Sequence, residues 1–258
     1  MLDGHSFASP PVGFLILDKP LCMTSMQAVA AVRRRAGGKG IRTGHAGTLD
    51  PLATGVLVVA IGRAATRIID MVQSLPKRYL TTIDLSAFTT TDDREGTRTE
   101  VPLTDAPQRE RIERTLREQF IGEVRQTPPA YSAVKVSGRR AYRLARAQGS
   151  GEGAKSSLEA VEEGMQARMI RIDSIGIVSY EWPLLTLDIR CGKGTYIRRL
   201  ARDLGIALGT GGHCAWLRRT AIGPFTDSRA IALADLPEVL GQDDVLSIDD
   251  VRASIEGT

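Results

Sequence analysis

The stretch from Gly44 to Gly55, GHAGTLDPLATG, gathers one carboxylate, one histidine, one proline and three glycines into twelve residues. Asp50 precedes Pro51, and an Asp in that setting often closes a turn or caps a helix. Its surroundings ask for more than a cap. Gly44, Gly47 and Gly55 allow tight backbone and the close approach of a large ligand. Pro51 stiffens the chain directly behind the carboxylate. A nucleophile or general base needs such support, because it must be held in one orientation. Burial alone would push a carboxylate toward its neutral form, so Asp50 needs a cationic partner to stay charged. GTYIRR (Gly194–Arg199) offers Arg198 and Arg199, with Tyr196 two positions before Arg198. Spacing leaves open whether Arg198 meets Asp50 or forms a surface ion pair. His45 reads either as a satisfied loop histidine or as a group facing the ligand. Cys191, His213 and Cys214 are possible metal ligands, but no CxxC or HxxxH spacing accompanies them, so no metal is expected.

These groups need elements to hold them. VGFLILDKP (12–20) reads as a buried strand closed by Asp18, Lys19 and Pro20. Thr24 as N-cap, with Gln27 at the capping-box position, opens a helix that Gly37 and Gly38 end. Arg33, Arg34 and Arg35 fall in its last turn, where positive charge suits the helix dipole. The run VLVVAI after Gly55 reads either as a buried strand or as the start of a buried helix. RYLTTIDLSAF alternates as a strand, with TTTDDREG as its turn. DAPQRERIERTLREQF is an amphipathic helix with Ile112, Leu116 and Phe120 inward. Pro128 and Pro129 keep VRQTPPAYSAVKVSG extended. RAYRLARA reads as a short basic helix and QGSGEGAKSS (148–157) as a flexible linker. Strands over roughly 169–179 and 184–190 precede CGKGTYIRRLARDLGIALG, a glycine-rich turn opening a helix. HCAWLRRTAIGPF reads as a last strand, and no internal repeat is visible. Strands outnumber helices and adjoin in sequence. The expected class is α+β, with a mixed, largely antiparallel sheet flanked by helices and loops.

Composition narrows the setting. With 258 residues, 42% of them hydrophobic, the chain is long enough for one large domain or two subdomains sharing a core. Its apolar runs fall short of the roughly 20 residues that span a bilayer. MLDGHSFASPPVG lacks the regions of a signal peptide. Three cysteines without a secretion signal read as reduced thiols, which points to the cytoplasm. The net charge of +4 hides a split: from Pro224 to Thr258 there are eight acids against two arginines. That tail carries −6, and the preceding 223 residues carry +10. Of 34 basic residues 28 are Arg, which suits phosphate contacts and base stacking, although codon bias gives the same ratio. Ile231, Leu233, Leu236 and Leu240 are spaced to pack one helical face of the tail. The field of the tail repels phosphate, so trimming from Gly241 onward is expected to leave catalysis and tRNA affinity largely intact, or to tighten binding slightly at low salt.

GHAGTLDPLATGVL resembles the signature loop of the TruB family of tRNA pseudouridine synthases. LDKP, KRY, QTPPAYSAVKVSGRRAYRLAR, CGKGTYIR and WLRR follow the family's order from Leu17 to Arg219. Departures are small: Ala46 and Thr48 in the loop, and a loose match at SAFTTTDD. The resemblance implies the pseudouridine synthase fold over 1–223; bacterial relatives usually carry a C-terminal PUA domain, and as a second departure a short acidic tail over 224–258 without a full PUA domain is expected here. It implies isomerisation of uridine 55 in the T-arm loop of tRNA, by a monomer with no cofactor and no obligate protein partner. Uracil is its own leaving group and nucleophile. Asp50 matches the catalytic aspartate and Arg198 its partner. Tyr79 and Tyr196 match tyrosines that stack on or line the base pocket, and Leu217 an apolar contact to the base. His45, Lys77, Arg78 and Arg218 are expected to bind RNA. Lys19, Pro20, Gly44 and Gly47 match motif positions read as structural. The target base must leave its stack to reach a recessed carboxylate. Two other readings remain: a guide-dependent synthase of the dyskerin type, and a tRNA-binding or folding module.

Overall fold

Seven residues of FLILDK type, Gly13–Lys19, form the first strand, almost wholly buried. A computed structural model describes residues 9–129, 135–136, 139–140 and 165–257. The expected basic helix RAYRLARA, apart from the backbone of Arg140, and the 148–157 linker lie outside those residues. In chain order the elements are β1 (Gly13–Lys19), α1 (Ser25–Arg35), β2 (Thr43–His45), β3 (Ala53–Ile61), α2 (Arg63–Arg67) and α3 (Ile69–Ser74). Next come β4 (Lys77–Asp84), β5 (Ala87–Thr89), β6 (Arg98–Glu100), α4 (Arg109–Gln119) and β7 (Gly122–Gln126). After them lie β8 (Lys135–Val136), β9 (Arg139–Arg140), β10 (Arg168–Glu181), β11 (Leu184–Cys191) and α5 (Ile197–Leu208). β12 (His213–Ile222), β13 (Phe225–Thr226), β14 (Ile231–Ala232) and α6 (Ile248–Glu256) complete the described chain. No helix among the described residues is long and apolar enough to cross a membrane.

Contacts divide the chain into two compact units, Met1–Arg78 with Arg218–Thr258, and Tyr79–Leu217. In the first unit the strand order is β14-β1-β3-β12, with β2 on β3 and β13 on β12. β1 and β3 run antiparallel from Gly13 opposite Ile61 to Lys19 opposite Gly55. The run after Gly55 is thus a strand. Its β-branched residues favour extended backbone, and both of its faces are covered. Phe14, Ile16, Val56, Val58 and Ala60 pack with Ala65, Val72 and Val251 from helices. α1 packs on β2 and β3. Thr24 caps it in the expected capping box with Gln27, and Gly37 and Gly38 leave it with φ +118° and +88°.

The tail departs from the expected helical face. Residues 231–232 form β14, parallel to β1 at Leu17–Ile231, and Ile231 is exposed while Leu236 and Leu240 are buried. The open edge of β1 offers backbone groups that need partners, and Pro237 removes a helix donor. Further on, the Phe14 and Leu246 backbones exchange two hydrogen bonds of 2.8 Å. Asp250 closes a capping box on Ser247 at the start of α6, so part of the tail's acidity serves its own helix.

In the second unit the order is β12-β4-β11-β10-β7, with antiparallel pairing of β10 to both β11 and β7. The expected strand RYLTTIDLSAF is broken after Asp84. Its carboxylate accepts the Ser86 N–H at 2.9 Å and turns the chain into β5. Ile112, Leu116 and Phe120 of the α4 segment are buried as expected. α5 starts at the N-cap Tyr196 and ends at left-handed Gly209. The architecture is α+β, mixed and largely antiparallel, with flanking helices.

Candidate active site

The loop from Ala46 to Leu52 joins β2 to β3, and three anchors fix it within the first unit. Ser25, the first residue of α1, accepts the Leu49 N–H at 2.8 Å and donates to the Leu49 carbonyl at 2.9 Å. That buried hydroxyl clamps the residue next to Asp50. The Pro51 carbonyl accepts the Cys22 N–H at 2.9 Å, and the Asp50 carbonyl accepts that of Ala53 at 3.1 Å. The third anchor is Arg219 on β12, only 1% exposed. Its Nε donates to the Val56 carbonyl at 2.8 Å and its Nη2 to that of Gly47 at 3.1 Å.

Gly55, early in β3, makes room for protein, which revises the expectation that it admits a ligand. A Cβ on Gly55, at φ +101°, would lie 2.2 Å from the Arg219 carbonyl oxygen. Gly47, also at φ +101°, turns toward the Arg219 guanidinium. Gly44 faces Ile69. Close packing of β3 against β12 sets Gly55, whereas at Gly47 the positive φ alone favours glycine.

Asp50 is half-buried, and Lys19 is a charged neighbour. Lys19, at the end of β1, is fully buried, with Nζ donating to the Pro20 and Met23 carbonyls at 2.8 and 2.7 Å. Burial pushes the Lys19 ammonium down to about 8, and the Asp50 carboxylate is the main charge opposing that push. Lys19, matched to a motif position read as structural, is thus also an electrostatic neighbour of Asp50. Burial, followed by the Arg219 guanidinium, lowers the His45 pKa, so its imidazole is neutral at neutral pH. Pro20 is exposed.

The expected RNA-binding cations differ in accessibility. Arg78 is exposed. Lys77 is buried, and its ammonium donates to the carbonyls of Gln73 and, at 2.6 Å, of Leu75. Its charge therefore serves the end of α3, a correction to its expected place on the RNA surface. Arg218 is held bidentate by Asp18 at 2.9 and 3.1 Å and by Asp227 at 3.1 Å. Its hydrogen bond to Asp18 is the main cause that raises its pKa.

The second unit holds the other expected residues. Tyr79 on β4 and Leu217 on β12 are buried. Tyr196 is half-buried; its backbone N–H and carbonyl both bond the side chain of Gln126, at 2.9 and 3.0 Å. The Arg168 guanidinium lies 5.0 Å from the Tyr196 ring centroid. Arg198 is buried, with Nη1 donating to the Thr91 carbonyl at 2.9 Å and lying 3.4 Å from Asp93 Oδ2. Arg198 thus has a carboxylate, Asp93, that sequence reasoning had not named for it.

Sequence reasoning also passed over Ser25, Gln126 and Arg219. For Arg219 a signal existed, because strand alternation puts it on the same face as Leu217 and Ala221, both buried. Ser25, Gln126 and Asp93 act on partners distant in sequence and leave no local pattern.

Within the first unit, a half-buried carboxylate held beside a buried ammonium suits acid–base or nucleophilic chemistry. Comparison with known proteins agrees. The TruB family pseudouridylate synthase N-terminal domain matches residues 33–197, and the tRNA pseudouridylate synthase B C-terminal domain matches 198–253. A tRNA pseudouridine synthase B of Caulobacter sp. (strain K31) is 44% identical over 226 residues, 87% of this chain and 67% of that one. Those of Mycobacterium bovis (strain BCG / Pasteur 1173P2) and Thermobifida fusca (strain YX) are 44% and 45% identical, covering 88% and 87% of this chain and 72% and 74% of theirs. Among solved structures, a chain from the crystal structure of a Cbf5–Nop10–Gar1 complex matches with a TM-score of 0.64 at 29% identity. A chain from an H/ACA RNP bound to a substrate RNA containing 2′-deoxyuridine matches at 0.61 and 27%. These matches cover 88% and 87% of this chain, which spans about half of each solved chain, 54% and 52%. The motifs, the fold and the extent of these matches agree: the chain belongs to the TruB family of pseudouridylate synthases.

Proposed function

We propose that this protein converts uridine to pseudouridine in the T-arm loop of tRNA, at position 55. The observation that carries the reading is Asp50, whose neighbour Leu49 is clamped by Ser25 and whose charge lies close to the buried Lys19 ammonium. The names of its relatives at 44–45% identity support tRNA as substrate. In the reaction the bond between uracil N1 and ribose C1′ breaks, the base turns, and C5 bonds to C1′. The C5 proton then passes to solvent and N1 takes up a proton, so substrate and product are isomers. The Asp50 carboxylate either attacks C1′ or abstracts a sugar proton to give a glycal. In this reading Arg198 is the ionic partner of Asp50, and Tyr79 stacks on the base and assists proton transfer at C5. Tyr196 and Leu217 line the base pocket. His45 and exposed Arg78 meet the RNA around the flipped nucleotide. Arg218 adds a phosphate contact only where RNA outcompetes Asp18 and Asp227. The protein acts in the cytoplasm, as a monomer.

The test is tritium release from a C5-labelled tRNA transcript, with no other RNA or protein added. Asp50→Asn keeps the shape of the side chain but supplies neither nucleophile nor base, so release should stop while tRNA binding persists. Turnover by Asp50→Asn within about tenfold of the parent rate would remove Asp50 from the mechanism. The likeness to chains solved within RNP complexes favours a second reading, dependence on a guide RNA and protein partners. Release from the transcript alone excludes that dependence.

A further inference from the structure

Arg198 and Arg202 stand one turn apart on α5, and each meets one of two adjacent carboxylates. Arg198 meets Asp93. Arg202 Nη1 donates to Asp92 Oδ1 at 3.1 Å, and its guanidinium lies 5.2 Å from the Phe88 ring centroid. Neighbouring side chains in an extended strand point to opposite faces, so two consecutive acids do not ordinarily serve one helix face. Asp92 is one of two non-glycine residues with positive φ among the described residues, at +59°. That left-handed turn lets both carboxylates face α5. Asp adopts it more readily than most L-residues, but it still costs more than right-handed or extended backbone, and its surroundings hold it here.

The holders are visible. The Asp92 carbonyl accepts the Cys214 N–H at 2.9 Å, and the Arg94 N–H reaches the Cys214 carbonyl at 3.1 Å. Asp93 Oδ1 accepts from Thr91 Oγ1 at 2.6 Å and from the Glu95 N–H at 3.0 Å. The Thr91 carbonyl and Asp93 Oδ2 are thereby placed where they meet Arg198 Nη1. The Arg202 side chain ties the bend itself to α5.

We propose that Asp92 and Arg202 are positioning residues for Arg198: their ion pair holds the left-handed bend that presents Thr91 and Asp93 to its guanidinium. The inference rests on the reading of Arg198 as part of the catalytic machinery. A purely structural pair would change stability and leave the chemical step alone. Arg202→Met, in the full chain, should slow single-turnover tritium release roughly tenfold while tRNA Kd stays within about twofold. Arg202→Lys should recover part of the rate. Arg198→Met combined with Arg202→Met should be no slower than Arg198→Met alone, because the outer residue acts only through the inner one. Should Arg202→Met fail to fold, Asp92→Asn gives the same comparison, since Asn tolerates the left-handed backbone and lacks the charge. An unchanged rate, a loss seen only in Kd, or additive losses in the double variant overturns the proposal, provided Arg198→Met by itself is strongly slowed. If Arg198→Met is as fast as the parent, the reading of Arg198 fails, and this inference fails with it.

Discussion

Asp50 depends on groups far from it in sequence. Lys19, at the end of β1, lies close enough for the Asp50 charge to offset part of the cost of burying its ammonium. Lys19 bears the cost of this arrangement. Its pKa falls from 10.5 to about 8 on folding because of burial, only partly offset by Asp50. Between those two values the unfolded chain binds more protons than the native one, so stability rises with pH across that window. The destabilisation is fully present below about pH 8 and is relieved as pH approaches 10.5. Lys19→Met has no such titration. Urea unfolding at pH 7.5 to 10 should show the parent gaining on Lys19→Met, by at most about 1.4 kcal/mol per pH unit. A constant difference between the two would mean that Lys19 keeps an ordinary pKa in the fold.

At the scale of elements, the decisive contact is β3 against β12 with Arg219 threaded beneath the loop. Gly55 sits where a methyl group would strike the Arg219 carbonyl oxygen at 2.2 Å, in a conformation that L-residues avoid. Gly55→Ala should therefore cost about 3 kcal/mol or more, read from thermal or urea unfolding. The backbone must shift to accept the new atom, which would also displace the carbonyls of Val56 and Gly47 that Arg219 binds. A loss below about 0.5 kcal/mol would mean that the strands separate easily, and that Gly55 serves a ligand as its sequence context first suggests.

For the whole molecule, charge and packing give the tail different roles. Its −6 net charge opposes phosphate binding, whereas its contacts stabilise the first unit. Leu246 pairs with Phe14, Gln242 bonds the Val12 backbone at 3.0 and 3.1 Å, and Val251 is buried in the core. Trimming from Gly241 removes all three. The melting temperature should fall by about 10 °C, a few kcal/mol for a chain of this size. The expectation from charge concerns tRNA affinity and is separate from this loss of stability. At temperatures where the trimmed protein stays folded, tRNA affinity should hold or tighten at low salt. It should weaken with added salt as in the full chain, because the basic body makes the phosphate contacts. A titration at several salt concentrations measures both. A tenfold loss of affinity in folded trimmed protein would assign RNA contacts to the tail.

The sequence by itself determined what is encoded locally. The α1 capping box, the glycine stop after it, the inward face of α4 and the start of α5 depend on residues within a turn or two of one another. The loop around Asp50 was legible for the same reason, since its motif is contiguous. Tertiary structure decided everything that joins distant segments. Which cations approach Asp50 depends on β1 and β12 flanking β3, and no spacing rule connects Lys19, Asp50 and Arg219. That Lys77 turns inward to α3, and that Gly55 yields space to Arg219, follows from packing that composition does not specify. The tail's spacing suits a helix, but the free edge of β1 supplies backbone partners that a strand can use. Local sequence sets which conformations are cheap; long-range burial and hydrogen bonding select among them.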